Sequence, residues 1–323
     1  MKKVLYTIGT IIRYDFWNEY QKKCPQCVSE DVVKNGFARG KQSYRCRKCG
    51  RQFIRKSNKV VLRQQLWEEY VWHKQTLKQL AGKHDHSIQW VQRQLDQASL
   101  KQIAEGGQKI VAACDTTFFG RGYGVLVVRC PRLKKNVHFH EVRSETPEEY
   151  RKARADLEAR GYTIEAAVID GKRGVAQVFS DIPTQFCQFH QIAIIRRYLT
   201  GKPKLEAAKE LRAITLSLTT STEITFIKLL TLWHERWQDF LKERTVSEDG
   251  KRWQYTHRRI RSAYRSLQTN LPYLFTCQKY PALNIPNTTN SIDGFFSKLK
   301  QLLNAHRGLT TERRYRLIQE ILA

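Results

Sequence analysis

The chain has 323 residues, 41 % of them hydrophobic and 11 % aromatic, and its 57 Lys or Arg against 30 Asp or Glu give a formal net charge of +27. This is chain enough for two or three domains with a sizeable core, and too apolar for a disordered polymer. No apolar run approaches the roughly 20 residues of a spanning helix, and the opening stretch lacks an apolar segment with a small-residue cleavage site; no membrane partner and a cytoplasmic, nucleoid-associated location are expected.

Residues 1–20 carry little pattern. A cysteine-rich segment over 20–57 follows. Cys24 and Cys27 form one C-x2-C pair, Cys46 and Cys49 a second, and 18 residues separate them. Two tight turns that each present two thiolates suit a tetrahedral Zn2+ with no open position, which predicts a structural zinc ribbon. Short alternating runs (VVKNGF, QSYRC, RQFIR) read as its strands. Residues 1–63 hold 16 Lys or Arg against 4 Asp or Glu. Arg39, Lys41, Arg45, Arg47, Lys48, Arg51, Arg55 and Lys56 interleave with Phe37, Tyr44 and Phe53, the composition of a surface that neutralises phosphates.

Residues 60–98 read as helices. Leu66, Tyr70, Leu77, Leu80 and Ala81 recur at helical spacing, Gly82 breaks the pattern, and Ser87 caps a second helix with Ile88, Val91 and Leu95 on its apolar side. Polar Gln89, Gln92 and Arg93 start that helix, the pattern of a helix-turn-helix DNA reader. His73, His84 and His86 are expected at the surface or on phosphates.

A linker precedes a core expected over 108–195. Ile110–Cys114 is a buried-strand run that ends in Asp115; GRGYG is a turn; VLVVRC and VHFHEV are two more strands. TPEEYRKARADLEARGY is a helix, with Thr146 as N-cap, Pro147 at its first position, Glu149 completing a capping box and Gly161 ending it. TIEAAVID is the fourth strand, closing on Asp170, and an apolar run with Cys187 and His190 reads as the fifth. Three hairpin strands followed by alternating helices and strands is similar to the order of an RNase H-like α/β domain, in which the first and fourth strands pair and bring Asp115 beside Asp170. Residues 196–285 read as an inserted all-helical subdomain; over 196–279 there are 17 Lys or Arg and 8 Asp or Glu. Residues 286–323 return as helix, turn at Gly308, helix, with Asp293 near the start of the first.

Two strand-borne carboxylates with a third on a later helix suit hard divalent cations. Two Mg2+ (or Mn2+) ions roughly 4 Å apart would serve in-line attack on a phosphodiester. On VAACDTT, VIDGKRGVAQVF with QFCQFH, and NTTNSIDGFFSKLK with HRGL, the chain resembles the Mutator-type transposases, bacterial insertion-sequence members of the DDE class. The resemblance covers about residues 108–323. It implies that Asp115, Asp170 and Asp293 bind metal, that the N-terminal modules bind terminal inverted repeats, and that 3′ ends are cut by hydrolysis and joined to target DNA by at least a dimer. A polar side chain on an otherwise buried strand needs a partner, so His190 is expected as a catalytic neighbour that contacts the scissile phosphate or the triad. The family usually carries Glu where Asp293 stands, and the shorter side chain leaves an alternative: a catalytically weakened or domesticated transposase that binds DNA in a sequence-specific way. Glu312 and Glu320 are weaker candidates for the third acid.

Overall fold

The structure, a computed structural model, describes residues 23–27, 29–38, 41–54, 59–103 and 106–323. Arg39, Arg55 and Lys56 lie outside the described residues. Contacts divide the chain into two units, Met1–Trp67 and Glu68–Ala323.

In the first unit β1 (Val32–Ala38), β2 (Lys41–Cys46) and β3 (Gln52–Ile54) form an antiparallel sheet in that order. The register of β1 on β2 slips between Lys34 and Phe37, where Gly36 takes a φ of 63°. A bulge of this kind uses the left-handed freedom that only glycine has cheaply. Helix α1 (Lys59–Val71) contains the division between the units.

In the second unit the chain turns at Lys74 (φ 56°) into α2 (Leu77–His84). Thr76 and Gln79 cap α2 reciprocally: the hydroxyl accepts from the Gln79 N–H, and the Thr76 N–H donates to Gln79 Oε1 at 2.8 Å. Gly82 does not break the helix, as its composition suggests; it lies inside α2, and the turn falls on Asp85 in the left-handed region. The sequence therefore holds a third helix where two were expected. Helix α3 (Ile88–Asp96) starts at the expected cap, with Ser87 Oγ accepting from the Trp90 N–H. His84 meets Glu69 at 3.4 Å, and His86 stacks on Trp90.

The rest is α/β around a mixed five-stranded sheet of order β6-β5-β4-β7-β8. Strands β4 (Lys109–Phe118), β5 (Gly124–Cys130) and β6 (Lys135–Val142) form antiparallel hairpins, and β4 pairs parallel with β7 (Thr163–Ile169), which pairs parallel with β8 (Thr184–Phe186). The two central strands read as unbroken apolar runs because both faces are covered, as parallel strands require. Ala113 pairs with Val168, so the acid two places on in each strand emerges at the same end of the sheet.

Helix α4 (Pro147–Ala159) buries Tyr150, Ala153 and Leu157. Pro147 opens it as expected, but Thr146 makes no side-chain cap, and no capping box forms. Glu149 is drawn off by His140 Nε2 (2.8 Å) and Lys152 Nζ (2.9 Å), cationic or N–H partners that outcompete a backbone amide. The same helix is tied to edge strand β6 by a chain of contacts: Asp156 to His138 Nδ1 (2.7 Å), His138 Nε2 to His140 Nδ1 (2.8 Å), and His140 to Glu149.

After the short α5 (Val175–Val178) and β8 comes α6 (Gln188–Leu199). Helices α7 (Glu206–Leu216), α8 (Glu223–Lys242) and α9 (Arg258–Leu274) build the insertion, pinned by Trp233 Nε1 donating to Ala207 O at 2.9 Å. This insertion is not all helical: β9 (Arg244–Val246) and β10 (Trp253–Tyr255) form a hairpin. Pro272 sits inside the last turn of α9 rather than ending it. After α10 (Thr276–Lys279), α11 (Asn290–Asn304) and α12 (Thr311–Leu322) are joined through Gly308 at φ 71°. Helix α12 also holds α3, through a bidentate Arg313–Asp96 pair at 2.9 and 2.8 Å and Arg316 donating to Ala98 O at 2.6 Å. Among the described residues no helix is long and apolar enough to cross a membrane.

Candidate functional site

The four N-terminal cysteines come together as a group. Cys24 and Cys49 sulfurs are 3.6 Å apart, and so are those of Cys27 and Cys46. A tetrahedron with bonds of about 2.3 Å has edges of about 3.8 Å, so the spacing fits Zn2+. The turns that present them are local: Cys24 N–H donates to Ser29 O (2.8 Å), and Gly50 N–H donates to Cys46 O (2.9 Å) with Gly50 at φ 73°. Burial works to raise the Cys24 thiol, but the Cys27 and Gln26 amides and the sulfur neighbours outweigh it and bring it down to about 6. Cys49 has the Arg51 amide in its favour, yet burial and the other sulfurs push it up to about 12. Four thiolates this close repel one another, and a cation relieves that conflict.

A second group lies at the sheet's acidic end. Ligand atoms of Asp115, His190 and Asp293 all lie within 4.8 Å of one another. Asp115, near the end of β4, is buried and accepts the Thr116 N–H at 2.7 Å. His190 is on a helix, not on the strand its apolar neighbours suggested: β8 stops at Phe186, Cys187 caps α6, and His190 falls in the first turn. The switch occurs because the Cys187 N–H still donates across to Ile169 O (2.7 Å) while the Cys187 carbonyl already accepts from Gln191 (3.1 Å).

Asp293 arrives from far along the sequence by a strap over residues 287–289. The Gln188 N–H donates to Asn287 O at 3.0 Å, Asn287 Nδ2 donates to Gln188 Oε1 at 3.0 Å, and the Thr289 N–H and hydroxyl each lie 3.3 Å from Cys187 Sγ. Thr289 then starts α11, whose first turn carries Asp293. Cys187 is thus a buried fastener between two helix starts.

Asp170 follows β7 and accepts the Lys172 N–H at 3.0 Å. It is not one of the three residues whose ligand atoms all lie within 4.8 Å of one another, but its charge acts on Asp115 and His190. Beside it stands Glu145, a carboxylate that sequence reasoning missed. Glu145 accepts the Tyr150 hydroxyl at 2.5 Å and Lys172 Nζ at 2.9 Å. Its place in a polar loop before a helix gave no periodicity to flag it.

Electrostatics are strained here. Burial pushes Asp115 up to about 7 against the Thr116 N–H and His190, with Asp293 and Asp170 adding to the rise. Asp170 is also raised, by burial and then Glu145. His190 is raised to about 9, first by the Cys187 sulfur, against burial, and then by Asp115 and Asp170. Cys187 is lowered: burial opposes this, and His190 and Thr289 overcome it. A buried Asp115 with half-buried Asp170 and exposed Asp293 beside it is poised to accept a cation from solvent.

The other expected contacts are elsewhere. Arg45, Arg47, Lys48 and Arg51 are exposed in the first unit; Gln89 and Arg93 are exposed and Gln92 half-buried on α3. Glu320 is buried and committed to Lys101, accepting its N–H at 3.0 Å, and Glu312 is exposed at the start of α12. Neither joins the metal-type groups. Neither a protein-family model nor a curated protein matches the sequence.

Proposed function

We propose that the protein is a DDE-type DNA transposase with an RNase H-like core, a zinc ribbon and a helix-turn-helix. The carrying observation is the parallel pairing of the first core strand with the fourth, which sets Asp115 and Asp170 at one end of the sheet, where the strap to α11 adds Asp293 and α6 adds His190. Asp115 and Asp293 would hold a divalent cation, Mg2+ or Mn2+, with Asp170 at its flank; an imidazole that carries both protons cannot ligate, so a charged His190 leaves oxygen ligands to a hard ion. Such an ion, when bound, supplies Lewis-acid stabilisation of the developing charge on a phosphodiester and acidifies a water or 3′-hydroxyl.

The chain's own groups do the remainder. His190, cationic near neutral pH, presents positive charge to the scissile phosphate. Lys172 and Tyr150 fix Glu145, which sets the field at Asp170. The exposed basic residues of the first unit and Gln89, Gln92 and Arg93 would grip terminal repeats, and two ends require at least a dimer on DNA. Asp170→Asn should abolish Mg2+-dependent nicking of a terminal-repeat duplex while end binding in EDTA persists; a variant that still nicks refutes the assignment.

One observation favours the weakened or domesticated alternative: Asp293 is a methylene shorter than the usual Glu. Asp293→Glu should then raise nicking if reach is the defect, since geometry at about the 1 Å scale controls rate.

A further inference from the structure

A groove of about 1050 Å³ runs between α6 and α9. Gly171, the residue after Asp170, is among its lining residues. Gly171 has φ 81°, and a Cβ there would meet the Phe186 ring at 3.0 Å, so both its backbone and its packing call for glycine. Arg197, Arg258 and Arg259 line the walls, and no Asp or Glu does.

These arginines differ from others in the molecule. Arg154, Arg160 and Arg313 are each paired with a carboxylate. Arg259 donates to Arg197 O at 2.9 Å and Arg258 to Gln254 Oε1 at 2.8 Å, neutral partners, and none of the groove's three makes an ion pair among the described residues. The floor is built, not accidental: buried Gln191 donates to Ser266 Oγ at 3.2 Å and accepts from Asn270 Nδ2 at 2.7 Å, and both of those residues line the groove. Thr256 and His257, which also line it, continue directly from the β9–β10 hairpin. There Trp253 is 52 % exposed with the Arg244 guanidinium 4.0 Å from its ring centre, a surface on which a base can stack.

We infer that this groove seats a single DNA strand, its phosphates on Arg197 and Arg258 and its path leading past Gly171 to the carboxylate cluster. Guanidiniums without carboxylate partners suit a polyanion, and Gly171 in the lining puts the groove next in sequence to Asp170. The inference rests on the reading of the protein as one that acts on DNA.

The test uses the full-length protein in EDTA and a fluorescein-labelled single-stranded oligonucleotide, titrated at several salt concentrations. Arg197→Ala with Arg258→Ala should flatten the slope of log K against log salt by about 1.4, at roughly 0.7 for each of two phosphate contacts. Arg197→Lys with Arg258→Lys should keep most of the slope. Lys209→Ala, which removes an exposed partner of Glu206, should leave it unchanged. An unchanged slope in the Ala pair overturns the inference, and so does a Lys pair that behaves like the Ala pair, since that means a distorted protein rather than lost charge. If nicking is never seen but the Ala pair still flattens the slope, the catalytic reading falls and the groove stands.

Discussion

At the scale of single residues the decisive group is Asp115. It titrates near 7 in the folded protein against an ordinary value of 3.8. The folded state therefore holds this proton to higher pH than the unfolded chain does. Its contribution to stability is fully present below the unfolded value and is lost as pH rises through about 7. In metal-free protein the urea midpoint should thus fall between about pH 5 and about pH 8, and Asp115→Asn, neutral throughout, should fall less. A variant with the wild-type slope would mean that another group carries it. A divalent cation that binds the ionised form should reverse the loss in wild type and not in the variant.

Elements explain why the sequence was legible in part. Cysteine spacing revealed the four-sulfur group because both pairs sit in tight local turns. Apolar runs revealed the central strands and their acids for a similar reason: burial on both faces writes itself into consecutive residues. Other features depend on distant partners. QFCQFH alternates like a strand, and only the Cys187 carbonyl's acceptance of Gln191 makes it a helix start. The three-residue strands β9 and β10 are too short for periodicity to show. Asp293 reads as a helix-start residue; the strap of Asn287 and Thr289 against Gln188 and Cys187 gives it a place beside Asp115. One element can be tested separately. Cys46→Ser should release about one equivalent of Zn2+ and expose 23–54 to protease, because a structural zinc site contributes folding energy outright. Fragments from the second unit should persist; their loss would show that its folding depends on the sulfur group.

For the whole molecule, net charge governs association more than fold. At +27 the chain should bind any duplex, with affinity falling steeply with salt. If it covers six or more phosphates, K should drop by about 10³ or more between roughly 50 and 200 mM salt. Gel-shift titrations on an unrelated duplex measure this. A shallow dependence would mean that the cations are spread too evenly to act together. Terminal-repeat recognition would then appear as extra affinity with a similar slope, because base contacts add little counterion release.

The contact chain from Asp156 through His138 and His140 to Glu149 has a consequence of its own. Three contacts of 2.7 to 2.8 Å each need one hydrogen, yet two neutral imidazoles carry only two N–H groups between them. With both acids ionised, the quartet is complete only while it stores one additional proton. Burial pulls His138 below its ordinary value, against the Asp156 carboxylate beside it. When that stored proton leaves, one of the three contacts becomes lone pair against lone pair, which strains the chain that links β6 to α4. Tyr150, which steadies Glu145 beside Asp170, lies on that same helix. The edge of the sheet is in this sense a one-proton latch on the carboxylates' support.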